Sequence, residues 1–400
     1  MPNYLYKLKD ENGKPLYGFS EARDLKELKS HLRAFDVFFI SAKIFDIKEF
    51  KKQRVTFDAL LMFTHRLTSL IESGIPILQA LNILWKQSEE KTMQIVLSRM
   101  YRHVEDGENI SKALDEFPNI FPHLYRAMVH VAEKTGSMVF ILRRIVEYLE
   151  YQRQFMSRVK KAMLYPCIVM GLTILVLIGM FTFVVPTFQK VLTGLNAELP
   201  LLTRIVLGIS QIMRNPFFIA FVVICIISLV IAYREMRKVP DLGYKLDKYL
   251  LSFPFIGNLI LTMSISRFIN SLRVLIGSGL PIVESLDVAK TTVTNQYLVK
   301  HIGDVKEGVK QGRSLYETFR DSKIFPVLLV EMLGIGEKVG TVTKVLENLA
   351  KHFDEEVDYK LNKFLTIIDP LLIVIVGTII IFTMLAIYLP IFSIWNKLAT

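Results

Sequence analysis

Apolar and polar positions change their rhythm as the chain proceeds. From Tyr4 to Lys9 they alternate, as in a half-buried strand. Asp10 to Lys14 reads as a turn, and Leu16 to Phe19 as the returning strand. Leu25, Leu28 and Leu32 share one face of a helix expected over residues 24–35, and Val37 to Ile40 suits a third strand. Residues 1–50 are therefore expected to form a small α+β module, with a flexible tail as the alternative; Glu49 to Arg54 is a charged linker. From Phe57 the period lengthens, and Leu60, Phe63, Leu67, Leu70 and Ile71 make one helical stripe. Gly74 is placed to end that helix and Pro76 to start the next. Further helices are expected near 77–87, 92–104, 109–116, 122–134 and 138–155. Most are divided by short Gly- or Pro-marked turns, which predicts an antiparallel bundle over 55–165.

Three apolar blocks follow a different pattern. Cys167 to Val185 is a run of 19 residues without a charge, so as a helix it spans about 28 Å, the hydrocarbon thickness of a bilayer. Pro216 to Tyr233 has 18 residues and spans about 27 Å. Phe364 to Leu389 is longer and is expected to tilt or to extend beyond the hydrocarbon. These blocks predict membrane helices at 166–186, 216–233 and 364–389, joined by an outer-side loop at 187–215 and a second helical bundle at 234–363, with an outer-side tail at 390–400. Arg153, Arg158, Lys160 and Lys161 precede the first block; Arg234, Arg237, Lys238, Lys245 and Lys248 follow the second; Lys351, Lys360 and Lys363 precede the third. The loop between the first two holds only Lys190, Arg204 and Arg214. This asymmetry places both bundles and the N-terminus in the cytoplasm. The polar start of the chain does not read as a cleavable signal, so the first apolar block is expected to direct insertion.

The chain repeats itself. Ile265, Phe268, Leu272, Leu275 and Ile276 match the first stripe at an offset of 205, and Ser278-Gly279-Leu280-Pro281-Ile282 matches Ser73-Gly74-Ile75-Pro76-Ile77. Gly312 matches Gly107 at the same offset. After a slip of one residue, Phe325-Pro326 matches Phe121-Pro122, Glu337 matches Glu133 and Gly340 matches Gly136. Pro370 and Pro390 likewise stand 204 residues beyond Pro166 and Pro186. The fold expected is mainly α and polytopic: two repeated cytoplasmic bundles, three membrane helices and the N-terminal α+β module.

Composition agrees. The hydrophobic fraction of 52% lies in blocks, and much of the net charge of +11 clusters beside them, which favours a membrane over nucleic acid as partner. No phosphate-binding Gly-x4-Gly-Lys-Ser/Thr loop occurs. Gly334-Ile-Gly-Glu-Lys-Val-Gly340 follows a helical pattern rather than a strand, against a dinucleotide site. Cys167 and Cys225 lie inside apolar blocks, without metal-ligand spacing. His123 and His130 can share a helix face, where packing explains them better than a metal. No catalytic residue, cofactor site or metal site is expected. Asp369 before Pro370 suits a helix cap, or else a polar contact to another helix. Asp354 to Asp358 reads as a solvated helix face, a docking surface or a weak cation site. Glu133 and Glu337 are placed to cap or pair within the bundles or to face a partner.

Arg158-Val159, Ala162-Met163, Tyr165-Pro166, Val169, Thr173, Met180 and Val184-Val185-Pro186 carry a resemblance. The chain resembles the type II secretion system F family, which includes the inner-membrane platform proteins of type IV pilus assembly. The likeness covers about 55–395, and the Ser-Gly-Ile-Pro-Ile and Glu-Lys-Thr-Gly turns fit it in both copies. The second copy departs from the signature at Asp369, which stands where the first has Tyr165. The resemblance implies a non-enzymatic platform that couples a cytoplasmic hexameric ATPase to the addition of pilin or pseudopilin subunits to a filament. It implies contacts with other inner-membrane assembly proteins, and a homo-oligomer is expected. A secretion pseudopilus, a type IV pilus and a DNA-uptake pilus are all compatible. A small-solute transporter or channel is the alternative, and predicts discontinuous helices with polar residues at the bilayer midplane. An intramembrane aspartyl protease would need a second acid facing Asp369.

Overall fold

The alternation at the start of the chain produces a three-stranded antiparallel sheet of order β2-β1-β3, in which β1 (Asn3–Lys9) pairs with β2 (Pro15–Glu21) and later with β3 (Phe38–Ile44). Tyr6, Leu8, Leu16 and Phe19 turn inward, and Leu28 and Leu32 of α1 (Leu25–Leu32) are buried with them. Gly18 sits under the Tyr6 ring, where a Cβ would come within 2.3 Å of it. These are features of a computed structural model that describes residues 2–9, 11, 13–32, 38–44, 54–187, 201–237 and 239–398. Val37 and most of the charged linker lie outside the described residues.

The bundle helices follow the apolar stripes: α2 (Phe57–Glu72), α3 (Ile77–Gln87), α4 (Lys91–Glu105), α5 (Ile110–Asp115) and α6 (His123–Thr135). The N-terminal module is fastened to them and is no loose tail. Trp85 Nε1 donates to the Tyr17 carbonyl at 2.8 Å, while Gln94 Oε1 and Ser98 Oγ accept from the N–H groups of Tyr17 and Phe19 at 3.0 and 2.9 Å. Side chains of α3 and α4 thus close the outer edge of β2, which would otherwise offer open ladder groups.

Next come α7 (Met138–Gly179), a π-helical turn (Met180–Val184), α8 (Leu201–Arg214), α9 (Pro216–Met236) and α10 (Pro240–Ser252). The second copy of the bundle contains α11 (Ile256–Gly277), α12 (Ile282–Ala289), α13 (Gln296–Lys310), α14 (Leu315–Asp321) and α15 (Val327–Val339), and α16 (Val342–Leu398) ends the described chain. The copies share core contacts: the Phe63 and Phe121 rings lie 6.1 Å apart, and Phe268 and Phe325, at the matching positions, 6.5 Å.

The chain divides into two compact units. One comprises residues 1–154, 264–294 and 298–353, and so holds the N-terminal module and most of both bundles; the other comprises 155–263, 295–297 and 354–400.

Two expectations change. The helix expected to end near Phe155 runs on through Pro166, and α16 runs through Pro370 and Pro390, so none of these prolines begins or ends a helix. A proline inside a helix sacrifices one backbone hydrogen bond, whereas breaking the helix in an apolar run would expose several unpaired groups at once. The segment 187–215, expected to be a loop, contains α8. There Thr203, Val206, Leu207 and Ser210 recur at helical spacing and are buried. Among the described residues, Met138–Thr187, Ile256–Gly277 and Val342–Leu385 are long and apolar enough to cross a membrane. The most apolar windows of the first and last are 11% and 6% buried, but that of Ile256–Gly277 is 61% buried. Its Ile265, Phe268, Leu272 and Leu275 fill the second bundle's core. α9 covers the block expected to span at 216–233, and its Phe217, Phe221, Ile224 and Leu229 are exposed.

Candidate functional site

The repeated glycines stand where the backbone must take positive φ. Gly74 and Gly279 have φ of 80° and 87°, Gly107 and Gly312 82° and 86°, Gly136 and Gly340 67° and 75°. An L side chain is strained in that region. Pro76 and Pro281 then occupy the N-cap positions of α3 and α12, each with φ of −55°. The turns of the two bundles are thus equivalent in conformation as well as in sequence. Gly334 and Gly336 serve packing instead: a Cβ on either would come within 3.0 Å of Tyr316 or Val345.

Glu133 and Glu337 also play one role twice. Glu133 accepts from the N–H groups of Ile110 and Ser111 at 2.5 and 3.2 Å, and from the Ser111 hydroxyl. Glu337 accepts from the N–H groups of Leu315 and Tyr316 at 2.9 and 3.4 Å. Each carboxylate lies near the end of one helix and neutralises the unpaired donors at the start of another. Asn109 makes no side-chain cap of its own on α5, whereas Ser314 caps α14 by accepting from Glu317 N at 3.2 Å.

Where α7 and α16 approach their apolar stretches, charges of the two copies meet. Arg158, in the basic start of the first block, holds Asp358 at 2.7 Å. Lys360 reaches Glu356 at 2.7 Å, Asn258 at 2.8 Å and Thr262 at 2.6 Å. Glu356 and Asp358 of the acid run 354–358 are therefore engaged with basic side chains of their own chain. Among the described residues, no group of three or more His, Cys, Asp or Glu side chains is arranged to hold a metal ion. Tyr165 is exposed beside Pro166. Asp369 lies inside α16 and caps nothing, because the helix begins at Val342. Its Oδ1 is buried and meets no hydrogen-bond partner among the described residues.

Further along α7 the backbone widens into its π turn, where Val185 N donates to the Met180 carbonyl. The next donor in that register would come from Pro186, which has no N–H. Ser210 of α8 supplies it: its hydroxyl donates to the Phe181 carbonyl at 2.6 Å. Phe181 and Val185 pack there with Val206 and Leu207.

The sequence reading did not single out Ser210, Asp247 or the Arg99–His103–Glu116 cluster. Asp247 is buried, pairs with Arg237 at 2.9 Å and accepts from Gln296 N at 2.6 Å. Arg99 joins Glu116 at 3.1 Å to Glu21 of the N-terminal module at 3.0 Å. His103 Nε2 lies 3.2 Å from Glu116, and its Nδ1 is bonded to Glu108. The contact with Glu116, opposed by partial burial and aided by Glu108, raises the His103 pKa. Burial works against ionising Glu116, but bonds to His103 and Arg99 hold its carboxyl at about 2. His123 and His130 do share a face of α6. They line a cleft of about 340 Å³ whose far side is formed by α12 and α13.

The family described as "Type II secretion system (T2SS), protein F" matches residues 63–186 and again 268–390. The chain belongs to the type II secretion system protein F family. The two matched stretches start 205 residues apart (268 − 63) and end 204 apart (390 − 186), the offsets of the internal repeat. A "Type IV pilus assembly protein PilC" of Thermus thermophilus is 31% identical over all of both chains. One of Myxococcus xanthus is 30% identical over 98% of this chain and 94% of its own. A "Type II secretion system protein F" of Pseudomonas aeruginosa is 27% identical over 98% of each. Members of this family thus include proteins named for pilus assembly and for secretion, and this chain matches both kinds along its whole length.

Proposed function

We propose that the protein is the inner-membrane platform of a type II secretion or type IV pilus machine. It couples a cytoplasmic hexameric ATPase to the addition of pilin or pseudopilin subunits, alongside other inner-membrane assembly proteins. The observation that carries this reading is the full-length match to relatives of both names, on a chain whose two bundles each continue by an unbroken helix into an exposed apolar stretch. A rigid helix of that kind transmits a displacement of a soluble bundle to the bilayer. Membrane crossings are assigned to 166–186, 216–233 and 364–389, with the N-terminus in the cytoplasm, in keeping with the distribution of Lys and Arg. The continuity of α7 and α16 speaks against the broken helices of a transporter. The test is co-purification from the native membrane in mild detergent: the secretion or pilus ATPase and pilin-like subunits are expected in the eluate.

A further inference from the structure

α8 carries two apolar faces, and among the described residues one of them is buried while the other is open. At about 100° per residue, Leu201, Ile205 and Ile212 fall within about 40° of one another around the helix. Thr203, Val206, Leu207 and Ser210 cluster on the opposite side. Val206 and Leu207 pack on Phe181 and Val185, and Ser210 bonds the Phe181 carbonyl. Leu201, Ile205 and Ile212 are instead 75%, 53% and 49% exposed. Arg204 and Gln211, both exposed, share the side between the two faces.

The attachments of α8 determine what the open face meets. Its buried face is seated on the last turns of the first assigned crossing, 166–186. At its other end only Asn215 separates it from α9, which forms the second crossing; Asn215 caps α9 by accepting from Phe217 N at 3.0 Å. One residue reaches only about 3.5 Å, so α8 is held at the outer boundary of the bilayer through both contacts. Phe183 and Val184 of the π turn, and Phe217 and Phe221 of α9, are exposed apolar side chains of the same kind. Open to water, Leu201, Ile205 and Ile212 would forgo the free energy of burial; among acyl chains they gain it. A helix with an apolar side and a polar edge is suited to lie in the interface plane.

We propose that α8 is a lipid-binding interfacial helix at the outer surface of the bilayer. Leu201, Ile205 and Ile212 enter the acyl chains of the outer leaflet, and Arg204 and Gln211 stand at the level of the headgroups. The occupant is lipid because the open face continues the exposed apolar surface of the two crossings to which α8 is fastened. The helix thus braces the outer ends of α7 and α9, with protein on one side and lipid on the other. This inference rests on the assignment of 166–186 and 216–233 as crossings, and turns the segment between them from a water-filled loop into part of the membrane anchor.

The experiment uses the full chain with Cys167→Ser and Cys225→Ser, reconstituted in vesicles of phosphatidylethanolamine and phosphatidylglycerol. A nitroxide is attached in turn through Ile205→Cys, Gln211→Cys and Phe221→Cys, all changes at exposed positions. Electron paramagnetic resonance reads its collisions with oxygen, which partitions into lipid, and with a water-soluble nickel chelate; circular dichroism confirms unchanged helix content. The oxygen-to-nickel ratio is expected to be several times higher at 205 than at 211, and highest at 221. A ratio at 205 as low as at 211, with 221 still high, would overturn the proposal and leave the crossings standing. A low ratio at 221 as well would overturn both. Equally high ratios at 205 and 211 would sink α8 wholly into the hydrocarbon and contradict an interfacial helix. An immobilised label at 205 that meets neither reagent would show a protein contact in place of lipid, and would equally overturn the proposal.

Discussion

Glu133 and Glu337 close the N-termini of α5 and α14 from neighbouring helices, and the difference between the two sites sets their worth. α5 has no side-chain cap of its own, so Glu133→Ala leaves the N–H groups of Ile110 and Ser111 without their acceptor. A loss of about 1–2 kcal/mol is expected. α14 retains its Ser314 cap, so Glu337→Ala should cost less than about 1 kcal/mol. Thermal unfolding of the two variants in detergent checks the order. The cluster that ties α4 to the N-terminal module depends on pH at both ends. His103 has a folded pKa above 6.5, so its contribution is complete below 6.5 and is lost as the pH rises through the folded value. Glu116 titrates at about 2 against 4.5 ordinarily, so its contribution is complete above 4.5 and fades as the pH falls toward 2. Melting temperature should therefore peak between pH 4.5 and 6.5, by an amount limited to about 1 kcal/mol by solvent screening. His103→Gln should flatten the upper limb. Both glutamates were visible in the sequence as repeat partners. What each of them bonds was not, because the donors lie about twenty residues away on another helix.

At the scale of elements, the prolines taught the most. Gly74, Gly107 and Gly136 could be read as helix ends because positive φ leaves a local signature. Pro166 and Pro370 look like ends by the same local logic, yet the helices continue through them. The reason lies in the apolar surroundings and not in the dipeptide. Ser210 was illegible for a related cause: its partner is a carbonyl released by Pro186, and nothing in the stretch 201–214 announces that need. This arrangement makes a coupled prediction. Ser210→Ala should destabilise the packing of α8 on the π turn by about 1 kcal/mol. In a Pro186→Ala background the restored N–H serves the Phe181 carbonyl, and Ser210→Ala should cost little. Protection of α8 from hydrogen exchange reads the difference. Equal loss of protection in both backgrounds would rule out the substitution of one donor for the other.

At the scale of the whole molecule, duplication was the most legible feature, because glycines and prolines in register at offsets of 204 and 205 need no structure to be seen. Which helices bury their apolar faces was less so. Ile256–Gly277 is as long and apolar as a span, but its stripe is consumed by the bundle. The apolar side chains described on α9 and in the apolar stretches of α7 and α16 are mostly exposed. Composition cannot separate these cases; burial can. The account of the protein as a platform rests on what gathers around it. The most direct measurement is mass spectrometry of the complex recovered through a tag on this chain, from its native membrane in mild detergent. The account predicts a secretion or pilus ATPase together with pilin-like subunits. A clean preparation that lacks both, and that moves a small solute across reconstituted vesicles, would contradict it.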